Sequence, residues 1–242
     1  MTAVFVHGVP DTARVWHAVL DHLGRRDVVT LNLPGFGNPS PAGFDPTKDA
    51  YAAWVAEQVA AVDGPVDLVG HDWGAILALR AACLRPDRVR SWAIGSGPLD
   101  PEYVWHKVAQ IWQTPEVGEQ FMTKFTAAAL EKGLPEEGVP LADARETGAC
   151  VDDTMKRCIL RLYRSALTVG AEWTPDLARL TAPGLVLWGE LDPYAAPTWG
   201  ERLAARTGAR FTLLPGCHHW WPLQRPAEVA VHLTRHWEGI PG

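Results

Sequence analysis

The sequence predicts an α/β fold built on a mainly parallel sheet of about six strands. Two observations carry this. Short apolar runs alternate with longer segments of helical periodicity, the rhythm of parallel strands joined by crossover helices. Successive strand-like runs also end in tight Gly/Pro turns, as in Pro34-Gly35-Phe36-Gly37 and Gly95-Ser96-Gly97-Pro98.

Taken in order, Ala3–His7 reads as a strand, turned by Gly8, Val9 and Pro10 into a helix near Thr12–Leu23. Asp27–Leu33 is a second strand and Thr47–Val62 a helix with apolar residues at three- and four-residue spacing. Val66–Val69 runs into a helix from about Trp73 to Leu84, and Val89–Ile94 is a fourth strand. From Leu99 to Leu180 the rhythm breaks into helix-like pieces with no clear strand. A block of roughly 80 residues is too long for a loop. Alternation resumes with the strand Gly184–Trp188, a helix near Pro197–Thr207, the strand Arg210–Leu214 and a helix near Pro226–Trp237. The expected organisation is a core of residues 1–98 and 181–242 with a helical lid, 99–180, inserted into it.

Composition narrows the function classes. Of 242 residues, 47% are hydrophobic and 21% charged, which excludes a mainly disordered chain. The formal charge of −6 offers no basic footprint for nucleic acid or an anionic membrane. No apolar run approaches the roughly 20 residues of a spanning helix. MTAVFVHGVP has no basic region and reads as a strand rather than a signal peptide. Cys83, Cys150, Cys158 and Cys217 lie far apart without metal-ligand spacing. The expectation is a cytoplasmic protein with reduced thiols, no metal and no cofactor, acting without nucleic-acid or membrane partners.

The most informative segment is Val66 to Ala75, where a strand enters Gly70-His71-Asp72-Trp73-Gly74 and passes directly into a helix. Small residues on both flanks permit a sharp, strained turn that presents Asp72, with the helix N–H groups aimed at it. A carboxylate so presented can attack an electrophilic sp3 carbon and form an alkyl ester. The bland reading is a turn whose Asp caps the next helix. His7-Gly8-Val9-Pro10 follows the first strand, and the N–H groups of Val9 and Trp73 would make a two-donor oxyanion hole. Trp188-Gly189-Glu190-Leu191-Asp192 puts Asp192 just past a strand, and Pro215-Gly216-Cys217-His218-His219 follows the last one. Nucleophile, acid and histidine thus occur in chain order at strand C-terminal ends, where open α/β sheets bind ligands.

With these motifs the chain resembles the α/β-hydrolase superfamily, in its Asp-nucleophile branch of epoxide hydrolases and haloalkane dehalogenases, closest to the epoxide hydrolases. The resemblance covers nearly the whole chain and implies the α/β-hydrolase fold with a helical cap. It implies that Asp72 is the nucleophile, that His219 rather than His218 activates water, and that Asp192 orients His219. Two departures stand out. The family's N-terminal hairpin is missing, and position 224 is Gln where the family often carries Glu, a position structural more often than chemical.

The leaving group separates the two activities. An epoxide needs an acid, and Arg161-Leu162-Tyr163-Arg164 resembles the lid segment that supplies one, making Tyr163 the candidate. The first lid tyrosine of the family falls at Val108 here, with Tyr103, Trp105 or His106 as substitutes about one turn upstream. A halide needs N–H donors, for which Trp73 and a lid tryptophan among Trp105, Trp112 and Trp173 are available. Each of these indoles, and Tyr163 itself, has a packing role as its alternative. Trp220 could wall the pocket or anchor the last helix. The substrate-binding set is therefore Trp73, Tyr103, Trp112 and Trp220. Asp100 is an alternative orienting acid, and Ser96 has no elbow to serve.

The expected function is hydrolysis of an apolar epoxide to a vicinal diol with water, through a covalent Asp72 ester. The alternative is haloalkane or haloacid dehalogenation by the same residues, and a remoter one is a non-catalytic ligand-binding relative.

Overall fold

A computed structural model describes residues 1–240. The strands are β1 (Ala3–Val6), β2 (Val28–Leu31), β3 (Val66–His71), β4 (Val89–Gly95), β5 (Gly184–Gly189) and β6 (Arg210–Leu214). They form one six-stranded sheet in the order β2-β1-β3-β4-β5-β6, and every pairing is parallel. The crossovers of the first half are α1 (His17–Leu23), α2 (Lys48–Ala61) and α3 (Trp73–Leu84). Between β4 and β5 the chain forms α4 (Lys107–Gln113), α5 (Val117–Lys124), α6 (Ala127–Gly133), α7 (Leu141–Ala149), α8 (Asp153–Arg164) and α9 (Val169–Trp173), with no strand among the described residues. The last part adds α10 (Pro197–Thr207), α11 (Trp221–Gln224) and α12 (Pro226–Glu238).

Both faces of the sheet are covered, which a parallel sheet requires. Side chains of a strand alternate between faces, and β1 divides accordingly. Val4 and Val6 join the core shared with α2, α3 and the inserted helices, whereas Ala3 and Phe5 join the core formed with α1, α11 and α12. Trp16, Val19, Trp221 and Leu233 fill the second core, and Trp16 meets Trp221 edge-on at 5.9 Å between ring centroids.

β3 runs two residues further than the sequence pattern indicates. Gly70 and His71 stay in register with Ile94 and Gly95 of β4, so the strand reaches the elbow itself. The period-2 signal cannot show this, because glycine contributes nothing to it. A β-carbon on Gly70 would strike the Gly74 carbonyl, and one on Gly74 would strike the Val6 carbonyl. The two glycines therefore let α3 start directly against β1 and β3.

Candidate active site

Between the two glycines, Asp72 sits at φ 53° and ψ −124°. A non-glycine residue held there costs on the order of 1–3 kcal/mol and persists only where its surroundings enforce it. Asp72 occupies the N-cap position of α3 yet its side chain makes no capping hydrogen bond. It points the other way, and its Oδ2 accepts the Val9 N–H at 2.7 Å. The capping reading of this motif therefore fails. The backbone N–H of Trp73 also favours the ionised carboxylate. Gly8 makes the approach possible, since a β-carbon there would occupy the space of the Asp72 side chain. His7 holds the same loop: its Nδ1–H donates to the Gly8 carbonyl at 2.7 Å and its Nε2 accepts from Leu33 N–H at 2.9 Å. Burial pushes His7 down to about 4, so it stays neutral in this role.

The loops after β5 and β6 bring the remaining groups. His219 Nδ1–H donates to Asp192 Oδ2 at 2.9 Å, and its Nε2 lies 3.7 Å from Asp72 Oδ1. Asp192 Oδ1 accepts the N–H groups of Tyr194 and Ala195 at 3.0 and 3.1 Å, which fixes its rotamer. The His219 carbonyl accepts His71 Nε2–H at 2.9 Å and Trp221 N–H at 2.9 Å, anchoring the imidazole from behind. His71 is pushed down to about 3 by burial and is a neutral donor.

His218, by contrast, is half-buried and faces Glu137 at 3.9 Å. Asp100 binds Arg202 and Arg206 through its two oxygens. Of the alternatives left open by the sequence, the structure brings His219 and Asp192 to Asp72, not His218 or Asp100.

The electrostatics follow from burial and from several charges in a small space. Burial pushes the Asp72 carboxyl up, while His219 and the Val9 and Trp73 N–H groups pull against it. Burial also opposes the Asp192 charge, but His219, the Ser96 hydroxyl and the Tyr194 N–H outweigh it and hold the carboxyl below its ordinary value. For His219 burial works downward, yet Asp192, Asp72 and Asp11 together raise it to about 9.

Sequence reasoning missed Asp11, and it weighed Ser96 only as a nucleophile, not as a support for Asp192. Asp11 is buried, accepts Trp220 Nε1–H at 3.0 Å, and is pushed up to about 7 chiefly by burial, with Asp72 adding to the shift. The available signal was its place two residues past Val9. Ser96, at φ 55°, accepts Trp221 Nε1–H at 3.1 Å and supports Asp192.

A cavity of about 260 Å³ opens on Asp72 and His219. Val108, Trp112, Phe121 and Leu134 supply apolar wall, and His106, Tyr163, Tyr194 and Trp220 add polar or aromatic surface. Burial and the Asp72 charge push the Tyr163 phenol well above its usual range, so it stays protonated. The Trp73 indole is fully buried behind the cavity, stacked on Trp105 at 5.6 Å and edge-on to Tyr163 at 5.4 Å. Tyr103 is displaced from its expected place: its hydroxyl donates to the Tyr194 carbonyl at 3.0 Å, and it lines a different, smaller pocket. Of this stretch only His106 reaches the cavity wall, and Trp105 lines the smaller pocket with Tyr103, because α4 begins only at Lys107 and residues 103–106 lie outside any helix. The Trp105 N–H is spent on the Ala166 carbonyl at 3.2 Å, and Trp173 lies under Lys48 and Arg80. The described residues contain no cluster of His, Cys, Asp and Glu able to hold a metal ion, and no described helix is long and apolar enough to cross a membrane.

A parallel sheet with an elbow, an acid and an imidazole on its C-terminal edge is the architecture of the alpha/beta hydrolases. A model of the alpha/beta hydrolase family matches residues 3–232, and the chain belongs to that family. It is similar to lipase LipV of Mycobacterium tuberculosis, 28% identical over 250 residues covering 93% of this chain and 89% of the relative. It is also similar to an epoxide hydrolase of Caballeronia sordidicola, 24% identical over 288 residues covering 96% and 86%. The solved structure of haloalkane dehalogenase DbeA from Bradyrhizobium elkani shares the fold, with a TM-score of 0.79 at 20% identity over 98% of this chain and 91% of that one. Such relatives support a hydrolytic activity.

Asp11→Asn keeps an oxygen for the Trp220 indole but removes a negative charge near His219. A cation loses stabilisation when a neighbouring anion is neutralised, so the His219 midpoint should fall from about 9. Imidazole titration followed by NMR checks this; an unchanged midpoint would remove Asp11 from the electrostatics of the site.

Proposed function

We propose that the protein hydrolyses an epoxide to a vicinal diol through a covalent ester on Asp72. One observation carries the reading: a carboxylate, not a hydroxyl, stands on the strained elbow, with His219 Nε2 at 3.7 Å and Asp192 at 2.9 Å behind the imidazole. A lipase-like acyl transfer would need a hydroxyl nucleophile at that position, and the chain has Asp.

The two oxygens of Asp72 take different parts. Oδ2 is held by the Val9 N–H, and Oδ1, facing His219, is the attacking atom. Attack on an epoxide carbon breaks the ring C–O bond, and the departing oxygen takes a proton from the Tyr163 phenol. A water deprotonated by His219 Nε2 then adds to the Asp72 carboxyl carbon. The charge developing on Oδ2 is met by the Val9 and Trp73 N–H groups, already in place before the step. Before that step the resting imidazolium gives up its proton, which makes good the one Tyr163 lost; collapse then releases the diol, whose oxygen takes the proton of the new carboxyl group, and restores the carboxylate. Esterification also removes the Asp72 charge, one of the three carboxylates that raise His219. The imidazole thereby becomes easier to deprotonate at the stage at which it must act as a base.

The segment 99–180 is read as the lid over residues 1–98 and 181–242, because Trp112, Phe121, Leu134 and Tyr163 in that segment wall the cavity. The substrate is a small apolar electrophile, matched to this wall. Four free thiols fit a cytoplasmic location.

Dehalogenation by the same residues is the second reading, favoured by a specific observation. The indole N–H groups of Trp73 and Trp112 are buried without an acceptor, and both rings pack on Tyr163. Those donors would serve a departing halide. The epoxide reading ranks first because Tyr163 lines the cavity, whereas of the two indoles only Trp112 does, and a halide would need both.

His219→Gln should stall turnover after the first step, leaving an adduct of substrate mass on the Asp72 peptide; an unmodified peptide under saturating epoxide would contradict the ester. Tyr163→Phe should slow epoxide opening by about 10²–10⁴-fold in single-turnover kinetics. An unchanged rate would return Tyr163 to a packing role.

A further inference from the structure

The departure at position 224 has a structural counterpart. The Gln224 side chain bonds in two directions. Its Oε1 accepts the backbone N–H of His218 at 2.8 Å and the Cys217 thiol at 2.9 Å. Its Nε2 donates to the Glu137 carbonyl at 2.8 Å. One end therefore grips the loop that carries His219, at the residue immediately before it. The other end grips the short 3-10 turn Leu134–Glu137, which lies in the inserted segment and puts Leu134 on the cavity wall.

The contact is built into the backbone as well. Gly138 closes that turn at φ 81°, and any β-carbon there would strike the Gln224 amide. The N–H groups of Gly138 and Val139 fold back on Pro135 and Leu134 at 3.1 Å each, so the turn is a defined unit that the amide can hold. A glutamate at 224 would still accept from His218 and Cys217 but has no N–H to give, and its oxygen would face the Glu137 carbonyl. Glutamine rather than glutamate is what adds the bond to the inserted segment.

We propose that Gln224 is a positioning residue, a strap that sets the cavity wall at Leu134 and the loop of His219 relative to one another. Substrate pressing on the wall is then felt at the imidazole loop, through one side chain. The catalytic consequence rests on the function proposed above, but the strap itself does not.

Hydrogen exchange on the intact protein tests it without any substrate. In Gln224→Glu, the amides of residues 134–139 should exchange about tenfold faster, the loss of one hydrogen bond, while residues 217–221 keep their protection. Gln224→Met should release both segments. Where an epoxide is turned over, Gln224→Glu should raise KM with little change in the decay rate of the ester, and Gln224→Met should slow that decay too. Wild-type protection of 134–139 in Gln224→Glu would overturn the proposal. So would a rise in both segments in that variant, which would make Gln224 a general packing residue. Absence of epoxide turnover would count against the proposed function and leave the exchange result to decide the strap.

Discussion

The close approach of the loop after β1 to the elbow after β3 is the constraint on which the rest depends. Three glycines remove the atoms that would forbid it: Gly8 beside the Asp72 side chain, Gly70 under the Gly74 carbonyl, and Gly74 against the Val6 carbonyl. The strain at Asp72, on the order of 1–3 kcal/mol, is borne by a sheet buried on both faces and by α3 packed into it. In return the carboxylate is held rigidly, one oxygen on the Val9 N–H and the other free toward His219. A softer turn would let the side chain fall back to cap α3, and the donors would lose their target.

Around that fixed carboxylate the charges are arranged so that, in the proposed chemistry, the imidazole works in two states. Asp192 is tied by backbone N–H groups and Ser96, and stays ionised despite its burial. Asp72 and Asp11 add to its effect, and His219 is cationic in the resting site, raised to about 9. An imidazolium cannot take a proton from water. The proposed chemistry resolves this by itself, because forming the ester cancels the nearest changeable charge. The apolar cavity wall strengthens the effect by excluding solvent that would screen it.

The sheet and the three groups on its edge were legible because they rest on local chemistry. Alternating apolar runs, the glycines around Asp72, and Asp192 and His219 at strand ends all follow from spacing along the chain. The extension of β3 to His71 was not legible, since Gly70 carries no side-chain signal. The supporting roles of Asp11 and Ser96 were passed over because what matters in each is burial beside groups far away in sequence: Asp11 meets Trp220 and Ser96 meets Trp221. Tyr103 was placed near the cavity by helical spacing, but residues 103–106 precede the helix, and the tyrosine turns toward Tyr194 instead. Pocket walls made of inserted helices depend on tertiary packing, which periodicity does not encode.

The central claim is that Asp72, not water, attacks the substrate. It is tested most directly by one turnover of an epoxide with enzyme in excess in oxygen-18 water, followed by mass analysis of the diol and of the Asp72 peptide. The account predicts an unlabelled diol and one heavy oxygen in the Asp72 carboxylate, because water enters at the carboxyl carbon. A labelled diol with an unlabelled Asp72 would contradict it and make the carboxylate a base for direct attack by water.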